Sequence, residues 1–287
     1  MLNRVHHVEI DKSVESLGIN EQNSVDSLED STINIAFFGL DRLNQDENGR
    51  SDAIVIISID LKQDKIKMLS ILRDLRVPIE NHGMDKINHA YSFGGPQLAI
   101  KTLNQNFGTN ITDYVAVDYL ALEKIIDICG GIDIDIHEVE IPYINEKIAE
   151  TATINNTKAD YITKGGIQLL NGQQAAAYTR VRYVGNGDLE RVERQWTVLT
   201  KLLNSIKEDG LAQYPGYISK VLPCVETSMD KAYLIKIGMN CFARDIRTIE
   251  QKRFPVDGYW KSSNISGIYY IITNLDTTKK HIHNFIG

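Results

Sequence analysis

Three short apolar runs near the beginning of the chain constrain its fold most strongly. They cover residues 33–39, 53–59 and 65–72, are rich in aliphatic, β-branched and aromatic residues, and are separated by polar loops or turns. Continuous apolar runs of this length are typical of strands buried on both faces of a sheet. Segments with helical spacing follow at 96–106 and 117–129. The sequence therefore predicts an α/β fold with a central mixed sheet.

The rest of the chain predicts one domain preceded by a polar arm. Residues 1–31 are polar and acidic, and the folded part is expected to cover residues 32–287. No internal repeat or low-complexity linker separates a second domain. Further patterns predict an edge strand at 132–136, a polar surface excursion at 145–163, a short helix at 168–178, helical pieces at 214–237 and a returning strand at 249–254.

Charge and cysteine content narrow the possible functions. The 287 residues carry a formal net charge of −7, which argues against a general nucleic-acid binder with a broad basic surface. No apolar run reaches about eighteen residues and no signal peptide is evident, so no transmembrane helix is expected in this sequence. Cys129, Cys224 and Cys241 lack metal-ligand spacing, so a structural zinc site is not expected. A disulfide between Cys224 and Cys241 is possible, and the sequence alone does not decide it.

One stretch, residues 177–196, concentrates positive charge around a glycine-bounded loop at 185–187. Its four arginines are Arg180, Arg182, Arg191 and Arg194. If 180–182 is extended, its two guanidinium groups point to one side of the chain. Asp188 can cap a following helix at 189–206, on which Arg191 and Gln195 share a face at the border of an apolar stripe. The apolar stripe comprises Leu189, Val192, Trp196, Leu199, Leu203 and Ile206.

Arginine is suited to binding an anion at such a place, because its planar fork holds phosphate oxygens bidentately and stays charged at any working pH. Arginines from a strand end and a helix start could therefore converge on one anion. The ordinary alternative is that they are surface charges paired with the neighbouring Asp188, Glu190 and Glu193.

Further charged residues follow or precede the predicted strands. Asp41 follows the first strand, Arg50 and Asp52 precede the second, and Arg73 and Asp74 follow the third. If the first two strands are neighbours, Asp41 and Asp52 meet at one edge of the sheet. Two carboxylates suit Mg²⁺, which also takes substrate phosphate oxygens. Loop aspartates are more often turn formers or helix caps. For the residues after the third strand, the alternative is a simple surface ion pair between Arg73 and Asp74.

The segment 86–96 leads from a loop into a predicted helix. Gly94 and Gly95 could open the helix N-terminus to an anion, or form a tight turn. His89 has no evident partner and is expected to be structural or exposed.

An ordered set of motifs resembles the LytR-CpsA-Psr family: GLD at Gly39, RSD at Arg50, SILRD at Ser70, KINHAYSFGG at Lys86 and YTRVR…GDLERVERQ from Tyr178. The match covers roughly residues 33–206 in order and spacing. Members of this family are membrane-anchored, extracytoplasmic transferases of Gram-positive bacteria. They move a glycopolymer, such as wall teichoic acid or capsular polysaccharide, from an undecaprenyl-pyrophosphate carrier to peptidoglycan. The resemblance implies a single α/β/α sandwich with a hydrophobic lipid pocket, a membrane-proximal arm and an anchoring helix that this sequence lacks.

The resemblance also implies roles for individual residues. Mg²⁺ is implied at Asp41 and Asp52. The implied catalytic residues are Asp52, Arg73, Asp74, Arg180 and Arg182, with Asp52 or Asp74 as the base. The implied pyrophosphate contacts are Arg50, Arg73, Lys86, Arg180, Arg182, Arg191, Arg194 and Gln195. The sequence departs from the family pattern at Leu72, where proline is usual, and at Ala53, where threonine is usual.

Two other functions use the same residues. A Mg²⁺-dependent pyrophosphatase or phosphodiesterase would act on a soluble polyphosphate with water as the acceptor. A non-catalytic module would bind a polyprenyl pyrophosphate and turn nothing over. The resemblance favours the glycopolymer transferase.

Overall fold

The computed structural model describes residues 6–20, 32–42, 48–182, 188–246 and 248–287. Contacts divide the chain into two compact units, which are described separately. The sheet unit comprises His6–Asp118 and Val225–Gly287, and the helix unit comprises Tyr119–Cys224. The polar arm at 1–31 and the single domain at 32–287 stay predictions.

Both units contain strands and helices. The described strands are β1 His6–His7, β2 Thr32–Asp41, β3 Arg50–Asp60, β4 Lys65–Ile71, β5 Arg76–Ile79, β6 Gly83–Lys86, β7 Asp113–Asp118, β8 Ile132–Ile136, β9 Gly166–Leu170, β10 Glu226–Thr227, β11 Thr248–Phe254, β12 Trp260–Ile265 and β13 Ile268–Thr273. The described α-helices are α1 His89–Phe107, α2 Tyr119–Ile128, α3 Ile141–Asn155, α4 Gly172–Tyr178, α5 Asp188–Glu208, α6 Tyr214–Val221, α7 Lys231–Ala243 and α8 Leu275–Ile286.

Seven of the described strands form one mixed sheet in the sheet unit, in the order β1-β10-β7-β2-β3-β4-β11. Strand β3 is antiparallel to both β2 and β4, whereas β2 pairs in parallel with β7 and β4 with β11. The three predicted apolar runs are β2, β3 and β4, and Ile56, Met68 and Leu69 on them are fully buried. The predicted α/β fold with a central mixed sheet is confirmed.

The pairing of β2 with β3 contains a β-bulge. Gly39 pairs with Ala53 and Leu40 with Ser51, so Asp52 is the extra residue of β3. A bulge changes the direction of nearby side chains, and Asp52 is buried here at 6% exposure. Gly39 leaves room for this pairing, because a Cβ at that position would lie 2.8 Å from the Ala53 Cβ.

Two predicted helix starts are corrected by strand pairing and capping. The helix expected at 117–129 begins at Tyr119, because residues 117–118 end strand β7 and pair with β2. The helix expected at 168–178 begins only at Gly172, since 166–170 pair with β8 as β9. Asn171 and Gln174 form the capping box that starts α4. The strand at 132–136 and the returning strand at 249–254 are present as predicted.

The polar excursion predicted at 145–163 is wrong for most of its length. Helix α3 occupies Ile141–Asn155, and Ile144, Ile148 and Ala152 recur on it at four-residue steps as a buried face. Polar residues on the other face obscured this spacing.

Helix α1 begins at His89, before the predicted start at residue 96. Gly94 and Gly95 leave helical geometry inside it, and Gly95 has φ 61°, which favours glycine. The two glycines therefore mark a kink between two helical segments, and the second segment corresponds to the helix predicted at 96–106. Binding of an anion at its start stays a prediction.

No disulfide joins Cys129, Cys224 or Cys241 in the structure, so the possible Cys224–Cys241 bridge is not formed. Burial, with a smaller effect of the Asp209 charge, raises the pKa of the Cys129 thiol to about 11. Among the described helices, none is both long and apolar enough to cross a membrane.

Replacing Gly39 with alanine should lower the free energy of unfolding by about 1–3 kcal/mol, because the new Cβ overpacks the strand pair beside the bulge. Gly216→Ala is the control, since its Cβ would meet nothing within 4 Å. Urea unfolding followed by circular dichroism measures both. A Gly39→Ala protein as stable as the wild type would contradict the tight packing of β2 against β3.

Candidate functional site

Four of the predicted site residues form a continuous chain of ion pairs in the sheet unit. Arg73 donates a hydrogen bond to Asp52 Oδ2, and its Nε lies 3.3 Å from Asp74 Oδ2. Lys86 Nζ donates to Asp74 Oδ1 at 2.6 Å. Both carboxylates are buried, and each is compensated by a cation as burial requires. The structure thus brings together residues from the RSD, SILRD and KINHAYSFGG motifs.

Asn88, for which the sequence predicts no role, ties the same three segments together. Its backbone N–H donates to the Arg73 carbonyl at 3.3 Å, and its carbonyl accepts from the Ser51 N–H at 3.4 Å. Its side-chain Nδ2 donates to Asp52 Oδ1 at 3.3 Å. Asp52 is therefore held on one oxygen by Arg73 and on the other by Asn88. The sequence signal for Asn88 is its place in the motif beside Lys86.

Leu72, which replaces the usual proline before Arg73, makes a hydrogen bond that proline cannot make. Its N–H donates to the Phe254 carbonyl at the end of β11, at 3.0 Å. Its carbonyl accepts from the Leu75 N–H at 3.0 Å, which closes the turn that carries Arg73. The departure from the family pattern is therefore accommodated by a contact with a neighbouring strand.

Lys86 is also bordered by aromatic rings. Its Nζ lies 6.0 Å from the ring centroid of Tyr269 and 5.9 Å from that of Tyr270, both on β13. A cation between a carboxylate and two ring faces is held in position from several sides.

Asp41 and Arg50 pair in register at the ends of β2 and β3, and both are exposed. Asp41 and Asp52 thus lie at the ends of adjoining strands. In the part of the chain that the structure describes, no group of three or more His, Cys, Asp or Glu side chains could hold a metal ion. Carboxylate and amide oxygens such as those of Asp41, Asp52 and Asn88 are of the kind that Mg²⁺ uses together with waters or phosphate oxygens, and Mg²⁺ at Asp41 and Asp52 stays a prediction.

The residue after Asp41 is anchored in the sheet unit. Arg42 Nη1 and Nη2 each lie 3.3 Å from Glu226 Oε2. Glu226 Oε1 accepts from the hydroxyls of Tyr91 at 2.8 Å and Tyr114 at 3.0 Å. Burial, followed by the Glu226 charge, raises the pKa of both hydroxyls, so they stay protonated donors. This cluster holds the end of β2, and with it Asp41.

His89 has a structural role, as expected, and its partner is Asp85. Its Nδ1 lies 2.9 Å from Asp85 Oδ2, and its ring packs edge-on against Phe93. Burial alone raises the pKa of Asp85, but hydrogen bonds from His89 and from the Lys86 N–H bring it below its ordinary value. The pair fixes the first turn of α1 next to the segment with Asn88.

In the helix unit, Arg180 is held by three groups. Its Nη1 donates to Thr151 Oγ1 at 2.9 Å and its Nη2 to Glu150 Oε2 at 3.2 Å. The guanidinium lies 4.9 Å from the ring centroid of Tyr119. Arg180 is in the turn after α4, and 181–182 have no regular structure, so the predicted extended segment is wrong. Contacts with α3, rather than strand geometry, orient this arginine.

Acidification should weaken this arrangement. Hydrogen bonding from Lys147 holds the pKa of Glu150 below its ordinary value, against the opposing effect of burial, and the charges of Lys147 and Arg180 add to it. A group with a lowered folded-state pKa stabilises the fold above its unfolded pKa and loses that contribution as pH falls through the folded pKa. The stability difference between wild type and Glu150→Gln should therefore shrink below about pH 4.

Thermal unfolding of both proteins from pH 7 to pH 3 measures this difference, with Glu208→Gln as an exposed control. A Glu150→Gln difference that stays constant across this range would contradict the assigned ion pair.

Arg194 is buried and surrounded by carboxylates. Its Nε and Nη2 donate to Glu140 Oε1 at 2.9 Å and 2.7 Å, and Nη2 also donates to Glu190 Oε2 at 3.3 Å. Its Nη1 donates to the Val181 carbonyl at 3.3 Å. Arg194 and Glu140 are 5% and 3% exposed. The pair joins α5 to the start of α3 and fixes the backbone next to Arg182, whereas a contact of Arg194 with pyrophosphate stays a prediction.

Arg194 also borders a cavity of about 380 Å³ in the helix unit. The other lining residues are His137, Val139, Glu140, Tyr178, Glu190, Glu193 and Thr197. The three glutamates among these residues make the cavity wall acidic. Arg194 therefore neutralises negative charge that belongs to the protein itself.

Removing one partner of the buried pair should be costly. Glu140→Ala leaves the Arg194 charge uncompensated, and we expect a loss of about 3–5 kcal/mol in the free energy of unfolding. Glu146→Ala is the matched control, because Glu146 is 54% exposed in its pair with Lys147 and should contribute less than about 1 kcal/mol. Equal unfolding midpoints for the two variants would refute the buried-pair assignment.

Helix α5 is present where the sequence predicts a helix, but its buried face differs from the predicted stripe. The buried apolar residues are Val192, Val198 and Leu202. Arg191 is 3% exposed and lies on the buried side rather than at its border, while Arg182 and Gln195 are half-buried. The loop at 185–187 and the proposed cap by the Asp188 side chain lie outside the described residues.

The structure thus keeps the predicted residues in two sets, one in each unit. Asp41, Arg50, Asp52, Arg73, Asp74 and Lys86 belong to the sheet unit, and Arg180, Arg182, Arg191, Arg194 and Gln195 to the helix unit. Glu140 and Glu150 were not anticipated, because their arginine partners lie far along the chain.

Comparison with known proteins adds an independent line of evidence. The model of the LytR_cpsA_psr family matches residues 4–284. The polyisoprenyl-teichoic acid–peptidoglycan teichoic acid transferase TagU of Oceanobacillus iheyensis is 31% identical over 260 residues, which cover 86% of this chain and 72% of the relative. Regulatory protein MsrR of Staphylococcus aureus is 28% identical over 262 residues, covering 90% of this chain and 75% of the relative.

A solved structure of the LytR-CPS2A-psr family protein YwtF (TagT) with bound octaprenyl pyrophosphate lipid has the same fold. Its TM-score is 0.66 at 23% identity, and the alignment covers 99% of this chain and 95% of the other.

Proposed function

Because the chain belongs to the LytR_cpsA_psr family, we propose that it is a transferase that moves an anionic or capsular glycopolymer from an undecaprenyl-pyrophosphate carrier to peptidoglycan. The observation that supports this proposal most is the chain of ion pairs from Asp52 through Arg73 and Asp74 to Lys86. The side chains of its two cations are half-buried. The relative TagU is named as a teichoic acid transferase, and the TagT structure holds a polyprenyl pyrophosphate, which supports the same substrate class.

The proposed reaction is a phosphoryl transfer. An acceptor hydroxyl of peptidoglycan attacks the phosphorus bound to the glycan, the bond from that phosphorus to the bridging oxygen breaks, and polyprenyl phosphate leaves. The hydroxyl proton passes to a base, for which Asp52 and Asp74 are the candidates. Catalysis of such a transfer consists mainly of positioning and charge stabilisation.

The basic residues have the role of stabilising the pyrophosphate charge. Arg73 is preorganised for this because its two carboxylate partners fix its guanidinium before substrate arrives. We assign pyrophosphate contacts to Arg50, Arg73, Lys86, Arg180, Arg182, Arg191 and Gln195. We assign Arg194 a positioning role through Glu140 and Val181, because its nitrogens already donate hydrogen bonds to these two residues.

We propose Mg²⁺ as the cofactor, held by Asp41 and Asp52. When bound, it would neutralise charge on the pyrophosphate oxygens. The family further supports a hydrophobic pocket for the polyprenyl chain, a place of action outside the cell membrane of a Gram-positive-type bacterium, and an anchor to that membrane.

The test is a transfer assay with a synthetic short-chain polyprenyl-pyrophosphate glycan, peptidoglycan oligosaccharides and MgCl₂, read by mass spectrometry. Arg73→Ala should lower the transfer rate by about 10²-fold or more, because one preorganised charge-stabilising donor is lost. Arg244→Ala should leave the rate unchanged, since Arg244 forms an exposed pair with Asp64.

The products separate the alternatives. Glycan attached to peptidoglycan supports the transferase. Free glycan phosphate with water as the sole acceptor would identify a hydrolase, and donor binding without any product would identify a binding module. A folded Arg73→Ala protein with undiminished transfer would remove Arg73 from the mechanism.

A further inference from the structure

The side chain of Asn88 is buried beside Asp52 with part of its hydrogen-bonding capacity unused. Its Nδ2 donates to Asp52 Oδ1 at 3.3 Å, whereas its Oδ1 is buried and accepts no hydrogen bond within the part of the chain that the structure describes. Buried amide oxygens normally have a partner. The amide oxygen of Asn88 is therefore available to a group that the chain itself does not supply.

Asn104 in the same unit shows the usual arrangement of a buried asparagine. Its Nδ2 donates to two backbone carbonyls, and its Oδ1 accepts from Thr109 Oγ1 at 2.8 Å and from the Ile111 N–H at 3.0 Å. Burial alone thus does not leave an asparagine oxygen without a donor in this fold. The difference at Asn88 is its neighbour, a carboxylate that can accept but cannot donate when ionised.

We infer that Asn88 Oδ1 is an oxygen ligand of the divalent cation proposed for Asp52, an inference that rests on the magnesium part of the proposed function. Half a turn of the amide about its Cβ–Cγ bond exchanges Oδ1 with Nδ2 and brings Oδ1 next to Asp52 Oδ1. Two such oxygens repel each other without a cation and share one when it is present. Ligands at 2.0–2.1 Å in an octahedral Mg²⁺ site are about 3 Å apart, close to the present 3.3 Å separation of Nδ2 and Asp52 Oδ1.

The surroundings restrict this change to the side chain. The backbone of Asn88 is bonded on one side to the Arg73 carbonyl and on the other to Ser51, so the residue itself stays in place. Arg73 binds Asp52 Oδ2, which leaves Asp52 Oδ1 as the oxygen that faces the amide. A neutral amide oxygen adds a ligand beside this carboxylate without adding negative charge.

Titration of the full chain with Mn²⁺, followed by electron paramagnetic resonance and by competition with MgCl₂, tests the inference. Mn²⁺ accepts the same oxygen ligands as Mg²⁺. Asn88→Ala should weaken cation binding by at least about 10-fold. Asn88→Asp should bind at least as tightly as the wild type, because it keeps an oxygen in the same place.

Asn106→Ala is the matched control, since Asn106 is also a buried amide but donates only to the carbonyls of Pro78 and Thr102. It should lower stability and leave cation affinity unchanged. Wild-type affinity in a folded Asn88→Ala protein would overturn the inference. Weakened binding in Asn88→Asp would overturn it too, because Asn88 would then act only as a donor to Asp52. A wild-type chain that binds no cation would overturn both this inference and the magnesium part of the proposed function. The transfer assay without metal tests the transferase separately.

Discussion

The position of one carboxylate, Asp52, depends on a single extra residue in strand β3. The bulge takes Asp52 out of the regular register with β2 and changes the direction of its side chain, and both Ser51 and Asp52 are buried. Ser51 then bonds to Asn88, and Asp52 to Arg73 and Asn88. Two loops are thereby tied to one strand end, and a shift of the register by one residue would disconnect both of them.

The carboxylates around each arginine also determine how much of its guanidinium group stays exposed to a ligand. Arg194 keeps only 6% of its side chain exposed and is surrounded by carboxylates, so it organises the helix unit from inside. Arg73 and Arg180 keep 18% and 22% exposed while still held by carboxylates. A partly exposed guanidinium with fixed partners can stabilise developing charge without reorganising, which is the property that a phosphoryl transfer requires.

Continuous apolar runs and charged motifs make much of the fold and of the candidate site predictable from the sequence. Strands β2, β3 and β4 were predicted because they are long apolar runs, and the charged motif residues because arginine and aspartate in that order have specific chemistry. Strand β7 was missed because its apolar residues continue into α2, and α3 because polar residues mask its four-residue spacing. Asn88 and Glu140 were missed for another reason: an uncharged amide, or a carboxylate whose partner is far along the chain, becomes informative only when the contact is seen.

In the proposed function, these basic residues hold a lipid-linked pyrophosphate. Native mass spectrometry of the protein purified from a membrane-containing bacterial lysate, with and without Mg²⁺, tests it most directly. We expect a bound polyprenyl phosphate or pyrophosphate that is lost in the Arg73→Ala/Arg182→Ala double variant. The absence of lipid from every preparation, together with tight binding of inorganic pyrophosphate or a soluble nucleotide, would contradict it.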